Sequence, residues 1–153
     1  MFYAGKNNKK TESFAVYVKP DGGNKAKIGV ETCNTNGNCQ TLWQDGNFAK
    51  EEWTYFVILA NGGSSSTSVN IYFREGSKAL QYGGGKSLSF VPYGSKAVSQ
   101  LGNGGNGDYL DGDLDEVRLW GVAFTIWDII IAFLTGNEPR LIAYWSFNEG
   151  NFG

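Results

Sequence analysis

The chain contains no histidine. That one absence removes the usual general base near neutral pH, every Ser-His or Cys-His nucleophile pair, and most protein zinc sites. There are two cysteines and three prolines, too few for a disulfide-stapled miniprotein or a proline-rich linker. There is no excess of positive charge: 13 Lys and Arg against 15 Asp and Glu give a net charge of −2, so no basic stripe for nucleic acid is expected. Long apolar runs are missing too. The longest, from 126 to 134, is interrupted by Asp128 and falls far short of a membrane span, and MFYAGKNNKK lacks the apolar centre of a signal peptide.

What is present is glycine, 22 residues of it. Gly, Asn and Ser punctuate short segments that alternate in polarity or are rich in Val, Ile, Tyr, Phe and Trp, which is the pattern of many antiparallel strands. Strands are predicted over 13–19, 26–32, 39–43, 53–60, 68–74, 87–92, 97–102, 110–121 and 140–148, with loops at PDGGNK, NGGSSSTS, YGGGK and GNGGNGD. Nine strands in 153 residues predict one all-β sandwich. Phe14, Trp53, Phe56, Tyr72, Phe90, Trp120, Tyr144 and Trp145 alternate with polar residues and are predicted as core.

One segment breaks the pattern. In FTIWDIIIAFLTGNEP, Thr125 can cap a helix, Gly136 can end it and Pro139 forbids its continuation, so one short helix is predicted over 126–135. Ile126, Ile129, Ile130, Phe133 and Leu134 form one apolar face, and Trp127 with Ile131 form a second stripe. A second stripe points to a protein interface at Trp127, Ile130 and Ile131, against a neighbouring domain or subunit.

WTYFVIL, VNIYFREGSKA, LDGDLDEVRLWGVAFT and LTGNEPRLIAYWSFNEG, in that order and preceded by SFAVYVKPDG, resemble the laminin-G-like and pentraxin-like domains of the concanavalin A-like lectin/glucanase superfamily. The resemblance covers nearly the whole chain. It implies a jelly-roll sandwich of two antiparallel sheets, a concave face used for sugar in lectin relatives, and edge loops that often hold calcium. YWSFNEG opens many such domains but closes this chain, which implies a circularly permuted form, or a piece of an array, with the first and last strands adjacent. Family habit also implies an extracellular or cell-surface setting.

The acidic stretch DGDLDEVRLW has three readings. As an extended strand it would place Asp111, Asp113 and Asp115 on one face, superficially like the three-carboxylate strand of laminarinase-type glucanases. Those enzymes use Glu at the outer positions, and Cα atoms about 13 Å apart do not let Asp side chains close to the 5–5.5 Å of a retaining pair. A catalytic role, and with it a degenerate glycoside hydrolase, is the least favoured reading. The second is calcium held by Asp108, Asp111 and Asp113 with carbonyls from Asn103 or Asn106. The third is architectural: Asp115, Glu116 and Arg118 fix a loop or sheet edge, as the DEVR segment does in relatives.

Sugar recognition requires aromatic platforms beside amides or carboxylates. Trp43, Tyr82, Tyr93 and Tyr109, with Asp45, Asn47, Asn103 and Asn106, fit that description. Cys33 and Cys39 flank an Asn-Gly turn signal in CNTNGNC, where a hairpin can be bridged by a disulfide or carry two free thiols; two isolated cysteines do not make a metal site. The expected function is a non-catalytic module binding glycan or a protein partner, with a scaffolding module docking through 126–135 as the alternative.

Overall fold

The structure, a computed structural model, describes residues 2–6, 13–63, 65–89, 97–102, 110–122, 125 and 140–147. The chain divides into two compact units, Met1–Leu110 and Asp111–Gly153. Among the described residues every regular element is a strand and every pairing is antiparallel. The helix predicted over 126–135 lies outside the described residues.

The first unit is a two-layer sandwich. Its larger sheet runs in the order β4 (Cys39–Trp43), β3 (Lys25–Cys33), β2 (Ser13–Pro20), β1 (Phe2–Lys6) and β9 (Ala97–Leu101), with the short β5 (Phe48–Ala49) also on β3. Its smaller sheet is β6 (Thr54–Gly62), β7 (Ser66–Glu75) and β8 (Gln81–Ser89). β1 is flanked on both sides, by β2 and β9.

Period-2 alternation decides the layers. On β3, Ala26, Ile28, Val30 and Thr32 are buried; on β7, Thr67, Val69, Ile71 and Phe73 are buried. The core is therefore mostly aliphatic: Ala26, Ile28, Val30 and Phe48 meet Val69, Ile71 and Leu88, and Phe14, Val16, Val18, Leu42, Phe56 and Ile58 pack around them. Several aromatics predicted as core lie elsewhere. Trp53 is 64% exposed, Tyr144 and Trp145 are exposed, and Tyr72 is on the outer face because it alternates with buried Ile71 and Phe73. Phe90 lies outside the described residues.

Of the predicted strands two differ most in extent, and β1 and β5 fall outside the predicted ranges. YGGGK is not a loop: it is the first half of β8, which begins at Gln81 and contains a bulge with Gly84 at φ 106°. Glycine-rich sequence reads as a turn, yet here it marks a bulge and a close backbone approach. The stretch predicted as a strand over 110–121 pairs only over β10 (Val117–Trp120). Residues 111–116 are outside any strand, and Glu116 has a φ of 52°, so the three aspartates do not share a strand face.

The two layers of the first unit are joined where β4 meets β8. Asp45 N donates to Gly83 O at 2.8 Å, Ser89 N donates to Gln40 Oε1 at 2.8 Å, and Thr32 Oγ1 donates to Ser89 O. Behind this margin Gln44, 2% exposed, continues the β3 ladder: its N donates to Ile28 O at 2.8 Å and its Oε1 accepts from Ile28 N at 3.3 Å.

At the far end of the same ladder the β3–β4 hairpin closes on Asn34, whose Oδ1 accepts from the backbone N of Asn36 and Asn38 at 3.0 Å each. Cys33 and Cys39, directly paired across the two strands, form a disulfide six residues apart in sequence. Closing so short a loop is worth about 2 kcal/mol on chain-entropy arithmetic. Reduction is expected to lower the unfolding free energy by that amount, read from urea titrations with and without reductant at equal protein concentration.

In the second unit β10 pairs with β11 (Leu141–Trp145) through Val117–Trp145, Arg118–Tyr144, Leu119–Ala143 and Trp120–Leu141, with a bulge at Leu119–Trp120.

Candidate functional site

The outer face of the smaller sheet carries an aromatic platform. On β7 the alternation that buries Ile71 and Phe73 turns Asn70, Tyr72 and Arg74 outward; in register with them are Leu59, Val57 and Tyr55 on β6, and Gly85 and Tyr82 on β8. Tyr72 and Tyr82 have ring centroids 5.3 Å apart at 55°, within the range of favourable tilted aromatic pairs. The Tyr82 hydroxyl donates to Asn70 Oδ1 at 3.1 Å while the residue stays 58% exposed. Gly85 makes that bond possible, since a Cβ there would sit 2.4 Å from both Asn70 Oδ1 and Tyr82 Oη. At the other end the Arg74 guanidinium lies 5.8 Å from the Tyr55 ring centroid.

Of the ligand residues expected from sequence, Asp45 is brought to the margin of this platform. Its backbone N bonds Gly83 O, and its Oδ2 lies 3.1 Å from where a Cβ on Gly84 would be. Trp43 is not brought there. It projects from the outer face of the larger sheet, lies against Gly29, where a Cβ would come within 2.4 Å of the indole, and has the Lys19 ammonium 3.9 Å from its ring centroid. Asn47 is engaged in a third place, donating to Asp21 Oδ2 at 3.2 Å, next to the Lys27–Asp21 ion pair at 3.1 Å. Tyr93, Asn103, Asn106 and Tyr109 lie outside the described residues.

The Asn47 hydrogen bond, then that of Lys27, holds the Asp21 carboxyl below its ordinary value of 3.8. Lys78, then the Ala49 backbone N–H at 2.7 Å, does the same for Glu75, ordinarily 4.5. Depressed carboxylate values mean that both ties are at full strength above the ordinary values and are lost as pH falls through the folded ones. Exchange of the Ala49 amide, corrected for intrinsic rate, is therefore expected to be flat above about pH 5 and to accelerate below about pH 4, as NMR exchange measurements would read directly.

In the second unit Glu116, Arg118 and Tyr144 form one cluster. Arg118 pairs with Glu116 Oε2 at 2.7 Å, the Tyr144 hydroxyl donates to Glu116 at 2.8 Å, and the Arg118 guanidinium stacks on the Tyr144 ring at 4.4 Å. Asp115 Oδ1 accepts from Glu116 N at 2.8 Å, across the left-handed turn at Glu116. The bond to Glu116 raises the Tyr144 phenol above its ordinary 10.0.

Of the calcium set, Asp108 lies outside the described residues, and so do Asn103 and Asn106. Asp111 and Asp113 are exposed, and among the described residues neither belongs to a cluster of three possible metal ligands. The interface residues Trp127, Ile130 and Ile131 are likewise outside the described residues. Among the described residues no helix is long and apolar enough to cross a membrane.

Sequence reasoning missed Asn70, Tyr72 and Gly85. The signal was available in STSVNIYFRE, where the strict alternation of Val69, Ile71 and Phe73 with Asn70, Tyr72 and Arg74 assigns the two faces.

A search of curated proteins and of solved structures finds no significant match. The Laminin_G_3 family model, described as the concanavalin A-like lectin/glucanases superfamily, matches residues 1–129, a span that crosses the boundary between the two compact units. Such membership fits a binding module in general. With an antiparallel sandwich around an aliphatic core and a family match over most of its length, the chain belongs to the laminin-G-like domains of the concanavalin A-like lectin/glucanase superfamily.

Proposed function

We propose that the chain is a non-catalytic recognition module that binds glycan on the outer face of the β6–β7–β8 sheet. One observation carries this reading: Tyr82 is 58% exposed yet tied to Asn70 and backed by Tyr72. Pyranose rings offer an apolar face and a polar rim, and a fixed phenol ring beside an amide complements both. Asp45, at the edge of the platform, adds an acceptor for sugar hydroxyls. An extracellular or cell-surface setting belongs to the same reading, supported by the Cys33–Cys39 disulfide.

The test is a glycan array run with and without EDTA, followed by titration of the best hit against Tyr82→Ala. A loss of about tenfold or more is expected, the scale of an aromatic anchor in a binding site. An array without hits in either condition removes the glycan reading. Hits that vanish in EDTA support calcium at Asp108, Asp111 and Asp113, and hits indifferent to it remove calcium.

A second reading is favoured by the double apolar stripe of residues 126–135: a scaffolding module that docks on a protein partner through Trp127, Ile130 and Ile131. Trp127→Asp is then expected to abolish partner capture while leaving any glycan titration unchanged.

A further inference from the structure

We propose that Cys33, Cys39 and Glu31 form a binding site for a soft divalent cation, zinc above all, whenever the Cys33–Cys39 bridge is reduced. Two cysteines alone fall short of a metal site; the fold supplies a third ligand. Glu31 precedes Cys33 by two positions on β3 and so lies on the same side of the strand, Glu31 half-buried and Cys33 fully buried there, and Cys39 is the cross-strand partner of Cys33. One ligand atom from each of the three residues lies within 4.8 Å of the others. Zinc–sulfur bonds of about 2.3 Å and zinc–oxygen bonds of about 2.0 Å set tetrahedron edges of roughly 3.5 to 3.8 Å. Glu31 Oε1 is already 3.8 Å from Cys33 Sγ, so the opened pair has only to relax its two sulfurs to a similar spacing.

The carboxylate is also oriented from behind. The Tyr17 hydroxyl donates to Glu31 Oε1 at 3.0 Å and Thr41 Oγ1 donates to Oε2 at 3.3 Å, the kind of outer support that fixes a metal ligand. Thiolates select zinc or cadmium over the hard cations that carboxylates alone would take. The chemistry balances with a thiol reductant: two reductant thiols give up two electrons and two protons and become a disulfide, while the Cys33–Cys39 bond breaks into two thiols. Zinc then displaces those two protons and forms two Zn–S bonds, with Glu31 as third ligand and water as fourth. The same hairpin end is thus closed by a covalent bond when oxidised and by a metal when reduced. The glycan reading plays no part in this argument.

The test uses the full chain, reduced with dithiothreitol, desalted under argon and titrated with cobalt(II), then zinc. One cobalt per chain with an intense thiolate-to-cobalt band in the near ultraviolet is expected, displaced by zinc and absent from the oxidised protein. Glu31→Gln is expected to keep the band and to bind zinc about tenfold or more weakly. If reduction destabilises the chain, zinc is expected to raise its melting temperature with increasing concentration. The proposal is overturned by a missing band, by one metal per two chains, by unchanged affinity in Glu31→Gln, or by a melting temperature indifferent to zinc.

Discussion

Ile28→Ala is expected to lower the unfolding free energy by about 2 to 5 kcal/mol. Ile28 is fully buried at the centre of β3, where it faces Val69, Ile71 and Leu88 within one cluster. Its own backbone is held by both the N and the Oε1 of Gln44, which resists collapse around the cavity and places the cost toward the upper part of that range. Ile28→Val, which removes one methylene, is expected to cost about 1 kcal/mol. Ile142→Ala is the control, since Ile142 is 64% exposed and a surface substitution of this kind changes stability by less than about 0.5 kcal/mol. The measurement is a urea titration with the midpoint displaced and the slope unchanged. Equal losses at positions 28 and 142 would show that the core has been put in the wrong place.

Gly85→Val is expected to damage the platform and the fold together. The added Cβ meets Asn70 Oδ1 and Tyr82 Oη at 2.4 Å and the Val69 carbonyl oxygen at 3.2 Å. The two side chains can swing away only by breaking their mutual hydrogen bond, and the carbonyl belongs to the β7 backbone. Overpacking of this kind costs about 1 to 3 kcal/mol. The loss of glycan affinity is expected to match or exceed that of Tyr82→Ala, because Tyr82, Asn70 and the spacing of β8 are all displaced. Tyr82→Phe separates the contributions: it keeps the ring and removes only the tie to Asn70, so an intermediate loss is expected. Wild-type affinity in Gly85→Val would detach this face from ligand binding altogether, a result that calorimetric titration of each variant reads directly.

Much of the architecture was legible in the alternation of apolar and polar residues. KAKIGVETC and STSVNIYFRE each carry period 2 over eight or more positions, and β3 and β7 follow it closely. Legibility failed where glycine replaced the alternating side chains. Gln81–Ser89 holds Gly83, Gly84 and Gly85, residues with no side chain to assign a face, and their purpose appears only when Gln44, Asp45 and Tyr82 are seen packed against them.

The core departs from expectation for a different reason. Aromatic residues are hydrophobic enough to be expected inside, but Trp53, Tyr144 and Trp145 are exposed while smaller aliphatics fill the gap between the sheets of the first unit. The acidic stretch reads as strand in sequence, whereas the left-handed Glu116 stops pairing one residue before Val117. Spacing arguments built on an extended backbone do not survive such a turn. As for the site, Tyr82 and Asp45 are legible as residue types, but the placing of Asp45 against Gly83 and Gly84 depends on the β4–β8 margin, which no local pattern encodes.

Tyr82 is anchored twice, through its hydroxyl to Asn70 and through the neighbouring Gly83 carbonyl to Asp45. A ring immobilised before its ligand arrives has little rotational freedom left to surrender. On the proposed glycan reading, differences between sugars should accordingly appear in how long each complex lasts, with arrival rates nearly alike. Loosening either anchor shortens residence time first.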